Sequence, residues 1–116
     1  MGIEIFKSFV RGFMDVMILW LLFKKPMHGY EIINKISDLT GLSFTPGSVY
    51  PLLYKLEKKG LIKSRWKKTG ERQKIKLYEI TKKGLKILEN LSIRLQSFLR
   101  DLASYKIHKN PLLKAD

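Results

Sequence analysis

The 116-residue chain contains no cysteine and only two histidines, His28 and His108. The absence of cysteine excludes disulfides, thiolate zinc sites and a cysteine nucleophile. Two histidines are too few to predict a histidine-rich metal site within one chain. No histidine is paired with an acidic residue at a spacing that would supply a catalytic base. We therefore expect no catalytic residue, no metal site and no cofactor, and an enzyme is the weakest functional class for this sequence.

The chain also lacks an apolar run long enough to span a membrane. The longest run, Phe13 to Phe23, is interrupted by Asp15 and is shorter than the roughly 20 residues that a spanning helix needs. It fits a signal peptide poorly, because residues 24–26 (Lys-Lys-Pro) follow it where small residues would form a cleavage site. The run instead predicts a helix over 11–24 that is buried on nearly all sides. We expect a cytoplasmic protein with no membrane partner.

Acidic residues are scarce in this chain. There are 10 Asp and Glu against 23 Lys and Arg, which gives a formal net charge of +13. Residues 55–86 hold 13 basic and 3 acidic residues, a net charge of +10, whereas residues 1–54 are nearly neutral. Because apolar residues recur regularly within this basic segment, it predicts a folded surface that meets a polyanion.

Two further helices follow the first along the chain. The second is predicted over 31–39, and Gly41 after it suits a left-handed cap. Spacings of three predict its buried stripe, which consists of Tyr30, Ile33, Ile36 and Leu39 with Ile32 beside them. The third helix has two candidate starts. Thr45 is a good N-cap with Pro46 in the first turn, but Pro51 then removes a backbone hydrogen bond. A start with Ser48 as the N-cap avoids that loss, and the sequence leaves both starts open.

From residue 62 the apolar period changes to two, which predicts a β-hairpin with strands at 62–67 and 74–80 and a basic turn at 69–73. Thr81 then caps a last helix, from 82 to about 106. The apolar residues of this helix step 3, 4, 3, 4, 3, which is a heptad seam too long for the preceding helices to cover, so a partner chain is implied. The seam residues are Leu88, Leu91, Leu95, Phe98, Leu102 and Tyr105.

The order of these elements predicts a mainly α (α+β) fold: a winged helix-turn-helix with a two-stranded wing and a long C-terminal dimerisation helix. We divide the chain into a DNA-binding domain (1–81), whose N-terminal helix joins the dimer interface, a dimerisation helix (82–107) and a tail (108–116). The third helix is the recognition helix, because an α-helix fits the major groove and reads bases near its N-terminus. The predicted contacts with double-stranded DNA are Gly47, Ser48, Tyr50, Pro51, Tyr54 and Lys55 from this helix, and Lys67, Lys68, Arg72 and Lys74 from the wing. Packing of Tyr50 and Tyr54 on the preceding helix is the alternative to a DNA contact.

Four segments of the chain also resemble the PadR family of transcriptional regulators. They are residues 11–12 (RG), residues 26–32 (PMHGYEI), residues 47–62 (GSVYPLLYKLEKKGLI) and residues 77–84 (LYEITKKG). The resemblance implies a homodimeric repressor that binds a pseudo-palindromic operator and dimerises through its C-terminal helix and first helix. The chain resembles the small subgroup, which has a single C-terminal helix. Glu71 departs from the family pattern, in which another arginine or a neutral residue is frequent.

The implied interface would add Phe9 and Phe13 to the heptad seam. Some members of the small subgroup bind a small planar aromatic effector at the dimer centre. Candidate residues for such a pocket are Phe9, Phe13, Trp20 and Phe98, and the alternative is a tightly packed interface without a cavity. Two other functions stay open: an architectural protein that binds DNA without sequence preference, and a winged helix that docks on an acidic protein.

Overall fold

The computed structural model describes residues 2–114. Within them the chain forms four α-helices, one three-stranded antiparallel sheet and two short 3-10 helices. The elements are α1 (Gly2–Lys24), β1 (Met27–His28), α2 (Gly29–Thr40), α3 (Pro46–Lys58), β2 (Ile62–Lys68), β3 (Lys74–Ile80) and α4 (Lys82–Ser104), followed by 3-10 helices at Ile107–Lys109 and Pro111–Lys114. This is the predicted winged helix with a long C-terminal helix. α4 ends at Ser104, slightly before the predicted end.

The hydrophobic core lies where α1, α2, α3 and the sheet meet. Its largest fully buried side chains include Ile18 of α1, Ile36 of α2, Leu53 of α3 and Ile62 of β2. Burial of each such side chain contributes about 1.5–3 kcal/mol relative to leaving it exposed. The core therefore fixes α3 between the first helix and the wing.

α1 is longer and less buried than the sequence predicted. It begins at Gly2 rather than at residue 11, and residues 2–9 are exposed. Val10, Met14 and Ile18 face the core, whereas Trp20 and Phe23 are exposed. The prediction of a helix buried on nearly all sides was wrong, because the apolar residues of α1 occupy two faces and only one of them is covered within the chain.

α2 begins two residues before the predicted start. The backbone N–H of Glu31 donates to Nδ1 of His28, 3.2 Å away, so His28 is the N-cap. The buried stripe consists of Ile32, Ile33 and Ile36, and the predicted members Tyr30 and Leu39 are exposed. Leu39 lies beyond Ile36, the last buried residue of α2, whereas Tyr30 follows the buried Gly29 and is turned about 100° from it around the helix.

Gly41 adopts the predicted left-handed conformation after α2. Its φ is 72°, and its N–H donates to the Ser37 carbonyl at 2.8 Å. A residue with a Cβ would be strained in this conformation. The turn directs the chain from α2 towards α3.

α3 begins at Pro46 with Thr45 as the N-cap, which decides between the two predicted starts. The Ser48 hydroxyl accepts from the Thr45 N–H at 3.2 Å and donates to the Thr45 carbonyl at 2.9 Å. Pro51 lies within the helix. The carbonyl that loses its partner there belongs to Gly47, which is exposed and accessible to water.

The sheet has the order β1–β3–β2. β2 and β3 pair without a bulge from Ile62↔Ile80 to Lys68↔Lys74. β1 was not predicted; its two residues pair with Tyr78 and Leu77. A strand of two residues is too short to show a period of two, so the sequence carries no signal for it.

α4 is joined to the domain at its first turn. The Thr81 hydroxyl accepts from the Gly84 N–H at 3.1 Å, as expected for an N-cap. Gly84 is the buried residue of this helix, and it packs against the backbone of Leu61. No helix within residues 2–114 is both long enough and apolar enough to cross a bilayer.

Candidate nucleic-acid interface

The exposed face of α3 is narrow and continuous. Val49, Leu53 and Leu56 face the core, so the opposite side of the helix is exposed to solvent. Its residues are spaced 4, 3 and 4 apart: Gly47, Pro51, Tyr54 and Lys58. Lys58 was not among the predicted DNA contacts, although its spacing from Tyr54 places it on the same face.

Tyr50 and Tyr54 have different surroundings although they are four residues apart. Tyr54 is 67% exposed, and the Lys58 ammonium lies 5.9 Å from its ring centroid. Tyr50 is 37% exposed, and its ring lies against Gly29 at the start of α2. A Cβ at Gly29 would approach Cε1 of Tyr50 to 2.6 Å. Tyr50 therefore packs on the preceding helix, which was the alternative to a DNA contact, whereas Tyr54 is free to contact a ligand.

Tyr50 forms the α3 side of a groove that separates this helix from the wing. Trp66 of β2 and Lys76 and Tyr78 of β3 lie across it. Burial raises the pKa of Tyr78, and the nearby Glu57 carboxylate and Tyr50 raise it further. Tyr78 therefore remains a neutral phenol in this groove at neutral pH.

Lys55 is the one predicted recognition-helix cation, and it is engaged within the protein. Its Nζ lies 2.8 Å from Oδ2 of Asp15 on α1. Ser48 is exposed, but its hydroxyl is bonded to Thr45 as described above. The exposed face of α3 is therefore more apolar than the sequence suggested.

The tip of the wing carries cations without partners. Lys68 and Lys74 are paired across the end of the hairpin, and Thr69 closes the turn by donating to the Gln73 carbonyl at 2.9 Å. Among the described residues, none of the four predicted wing contacts forms an ion pair: Lys67, Lys68, Arg72 and Lys74. All four are exposed. Their charges are available to an anionic ligand.

The base of the wing differs because its cations are paired. Arg65 Nε donates to Glu79 Oε1 at 2.7 Å, and Lys63 lies 3.9 Å from the same carboxylate. The Arg65 hydrogen bond holds the pKa of Glu79 below its usual value, although partial desolvation opposes this shift, and the charges of Arg65 and Lys63 add to it. The unpaired positive charge of the hairpin is therefore concentrated at the tip.

An apolar cleft of about 520 Å³ lies between α1 and α4. Phe9, Phe13 and Trp20 line it from α1, and the rings of Phe9 and Phe13 stack at 5.3 Å between centroids. Leu95 and Leu99 line it from α4. Three of the four predicted pocket residues are thus brought together.

Phe98, the fourth predicted pocket residue, does not line this cleft. It lies beside Arg94 and Asp101 in a separate shallow groove of α4. Successive residues of an α-helix are rotated by about 100°, so Phe98 is turned away from the face that Leu95 and Leu99 present to α1. Phe98 and Tyr105 are 60% and 69% exposed, and Leu102 is also exposed.

The sequence and the fold both match known proteins. The model of the transcriptional regulator PadR-like family matches residues 18–90. The chain belongs to the PadR-like family of transcriptional regulators. Its family and structural neighbours are regulators, which are not typically enzymes.

Two curated relatives of this PadR-like chain share about a third of the aligned residues. An uncharacterized protein X of Lysinibacillus sphaericus is 36% identical over 84 residues, which are 71% of this chain and 77% of that protein. The transcriptional regulator YqjI of Escherichia coli is 35% identical over 85 residues, which are 72% of this chain but 39% of that protein. The chain therefore spans well under half of YqjI.

Solved structures confirm the winged-helix fold. A putative transcriptional regulator from Thermoplasma acidophilum is 34% identical with a TM-score of 0.70, and the match covers 84% of this chain and 97% of the other. A PadR-like transcriptional regulator from Bacillus cereus gives a TM-score of 0.73 at 27% identity, over 85% and 99% of the two chains. Bacillus subtilis PadR in complex with operator DNA gives 0.62 at 31% identity, over 68% of this chain and 46% of that one.

Proposed function

We propose that this PadR-like chain is a homodimeric repressor that binds a pseudo-palindromic DNA operator through α3 and the wing. One observation carries the proposal: α3 has an exposed face, and the wing that packs against α3 carries at its tip four cations with no acidic partner among the described residues. The matched Bacillus subtilis PadR structure, a complex with operator DNA, supports it.

In this proposal α3 lies in the major groove with its exposed face towards the bases. Gly47 has no side chain and allows close approach to the DNA, and Pro51 offers an apolar surface suited to a thymine methyl group. Tyr54 presents both a ring and a hydroxyl. Tyr50, which packs on Gly29, holds the helix in place and contacts DNA at most with its exposed edge.

The wing would contribute affinity rather than sequence preference. Lys67, Lys68 and Lys74 would lie along a phosphate backbone, and Arg72 at the turn is placed to enter a minor groove. Each phosphate neutralised in this way releases counterions, so the affinity falls steeply with salt.

The apolar surface left open along α4 and α1 supports a homodimer. Phe98 and Leu102 are exposed on α4, Tyr105 is exposed directly after it, and Phe9 is exposed on α1. An exposed apolar patch of this kind usually marks an interface. The rest of the proposed interface is Phe13, Leu88, Leu91 and Leu95. A two-fold dimer would place two α3 helices in successive major grooves, about 34–36 Å apart.

The cleft between α1 and α4 supports a small planar aromatic effector as a further ligand. Its volume of about 520 Å³ lies in the range typical of small-molecule sites, and its stacked phenylalanines suit a flat ring. Titration of a Trp66→Phe variant with planar aromatic compounds would test it, because quenching would then report on Trp20 alone. No quenching by any compound of this class would contradict an effector site.

The direct test of the proposed function is selection of bound duplexes from random-sequence and genomic DNA at physiological salt. An enriched inverted repeat that competes well against bulk DNA is the expected result. Binding without an enriched site would contradict a site-specific repressor and favour an architectural protein. No binding to any duplex would contradict the DNA interface and favour an acidic protein partner.

A further inference from the structure

A second cationic surface lies on α1, beside the recognition helix. A groove of about 650 Å³ separates the N-terminal half of α1 from residues 41–44 and the first turns of α3. Lys7 and Arg11 line it from α1, and Ser48 and Leu52 line it from α3. Neither cation belongs to the predicted DNA contacts.

α1 presents these cations on a different face from its aromatic residues. Lys7 and Arg11 are four residues apart, so they are neighbours on the helix surface. Phe9 lies two residues before Arg11 and Phe13 two residues after it, so each is about 160° away from Arg11 around the helix. Both phenylalanines line the cleft with α4. A partner chain or effector on the aromatic face would therefore leave the cationic face open.

The groove has positive charge and no acidic residue along its lining. Neither Lys7 nor Arg11 forms an ion pair with any residue in 2–114. Two acids flank this side of α1: Glu4, three residues before Lys7, lies outside the lining of the groove, and Asp15, one turn beyond Arg11, is paired with Lys55. The groove is therefore complementary to an anion.

The two sides of α3 differ in what lies beside them. Tyr50 and Glu57 face the wing, Glu57 through a hydrogen bond from Ser64. Ser48 and Lys55 face α1. A helix in the major groove has a phosphate backbone on each side, so the wing can reach one strand and the cationic face of α1 the other.

We propose that Lys7 and Arg11 bind a DNA backbone phosphate on the side of α3 opposite the wing. This inference rests on the proposed DNA-binding function. It predicts that DNA contact begins near the N-terminus of the chain and that α3 is held from both sides, which would fix its depth and angle in the groove.

The test compares two double variants by the salt dependence of DNA affinity. Lys7→Gln with Arg11→Gln removes the proposed contacts. Lys86→Gln with Arg100→Gln, both on the outer face of α4, removes the same charge elsewhere. Each lost phosphate contact should lower the slope of log affinity against log salt by about 0.9, so we expect a decrease of about 0.9 for the first variant, which removes both cations from the one proposed phosphate contact. At 0.1 M salt this corresponds to about eightfold lower affinity per contact. The control should change the slope little.

Ethylation interference locates the contact. We expect the wild-type protein to be sensitive to one phosphate on the side away from the wing, and the Lys7→Gln, Arg11→Gln protein to lose that sensitivity while its helical circular dichroism is unchanged. The exchanged pair Lys7→Arg with Arg11→Lys should keep the wild-type slope. If the first variant and the α4 control have equal slopes while the wild-type protein binds DNA, the α1 contact is wrong and the proposed function stands. A wild-type protein that binds no DNA would overturn both.

Discussion

Lys55 Nζ lies 2.8 Å from Asp15 Oδ2 and joins the recognition helix to the middle of α1. The second oxygen of the same carboxylate, Oδ1, is buried and has no hydrogen-bond partner among the described residues. Asp15 therefore depends on Lys55 for its stabilisation. A lysine that the sequence assigns to DNA acts first as a structural link.

This link predicts a measurable coupling energy. Lys55→Met should lower the free energy of unfolding by about 1 kcal/mol, because it leaves a partly buried carboxylate without its charge partner. A double-mutant cycle with Asp15→Asn should give a coupling energy of about 0.2–1 kcal/mol, since both side chains are still partly in water. Urea denaturation measures it. Lys58→Met is the control, because Lys58 is exposed and forms no ion pair with any residue in 2–114. Additive effects of the Lys55 and Asp15 substitutions would contradict the link.

The attachment of α4 at Gly84 gives a second prediction. A Cβ at this position would collide with the Leu61 carbonyl oxygen and approach Ile80 Cγ1 to 3.0 Å. Gly84→Ala should therefore lower the free energy of unfolding by about 1–3 kcal/mol, since backbone atoms must move. Gly70→Ala, where a Cβ meets nothing within 4 Å, should change it by less than about 0.5 kcal/mol. Equal effects in thermal melts would contradict the close packing at Gly84.

Local signals in the sequence predicted most of the elements, because each is fixed by residues close together in the chain. Thr81 and Gly41 mark helix ends through backbone hydrogen bonds to residues three or four positions away. The period of two marks β2 and β3. The family segments around His28 and Tyr50 indicated the recognition helix.

The errors concern residues whose surroundings are set by distant parts of the chain. Asp15 and Lys55 are 40 positions apart, and no local pattern pairs them. Tyr30 has the spacing of a buried residue, but it points away from the core beside the buried Gly29. Phe98 fits the heptad, but only three-dimensional packing shows which side of α4 faces α1.

The Arg65–Glu79 pair predicts a pH dependence of stability. The pKa of Glu79 is lower in the folded protein than its ordinary value of 4.5. Ionised Glu79 therefore contributes to the free energy of unfolding above about pH 4.5, and this contribution is lost as the pH falls through the lower pKa of the folded protein. The difference in melting temperature between the wild-type protein and Glu79→Gln should be largest above pH 5 and should shrink below pH 4. Glu71→Gln, at the wing turn, is the control. A difference that stays constant from pH 7 to 3 would show that the Arg65 contact contributes nothing through ionisation.

The wing predicts a uniform loss of DNA affinity. Arg72→Ala and Lys68→Ala should each weaken binding to all sequences and lower the salt slope by about 0.9, because each removes one unpaired cation from the tip. Arg65→Ala, in which the lost cation was already paired with Glu79, should change the slope less. Fluorescence anisotropy over a series of salt concentrations measures this. Equal slopes for Arg72→Ala and the wild-type protein would place the wing away from the DNA.

The heptad seam of α4 can be tested without disturbing the core, because Phe98 is exposed in the single chain. Phe98→Asp should give folded monomers in sedimentation, since it places a charge in the apolar surface proposed to meet the partner. The matched control is Ile93→Asp, because Ile93 is also exposed on α4 but lies off the seam. Ile93→Asp should remain dimeric. The Phe98→Asp monomer should bind a full operator much more weakly than the wild-type dimer, because the dimer binds both half-sites at once and a monomer binds only one. Dimers that persist with Phe98→Asp would mean that the chains meet through another surface.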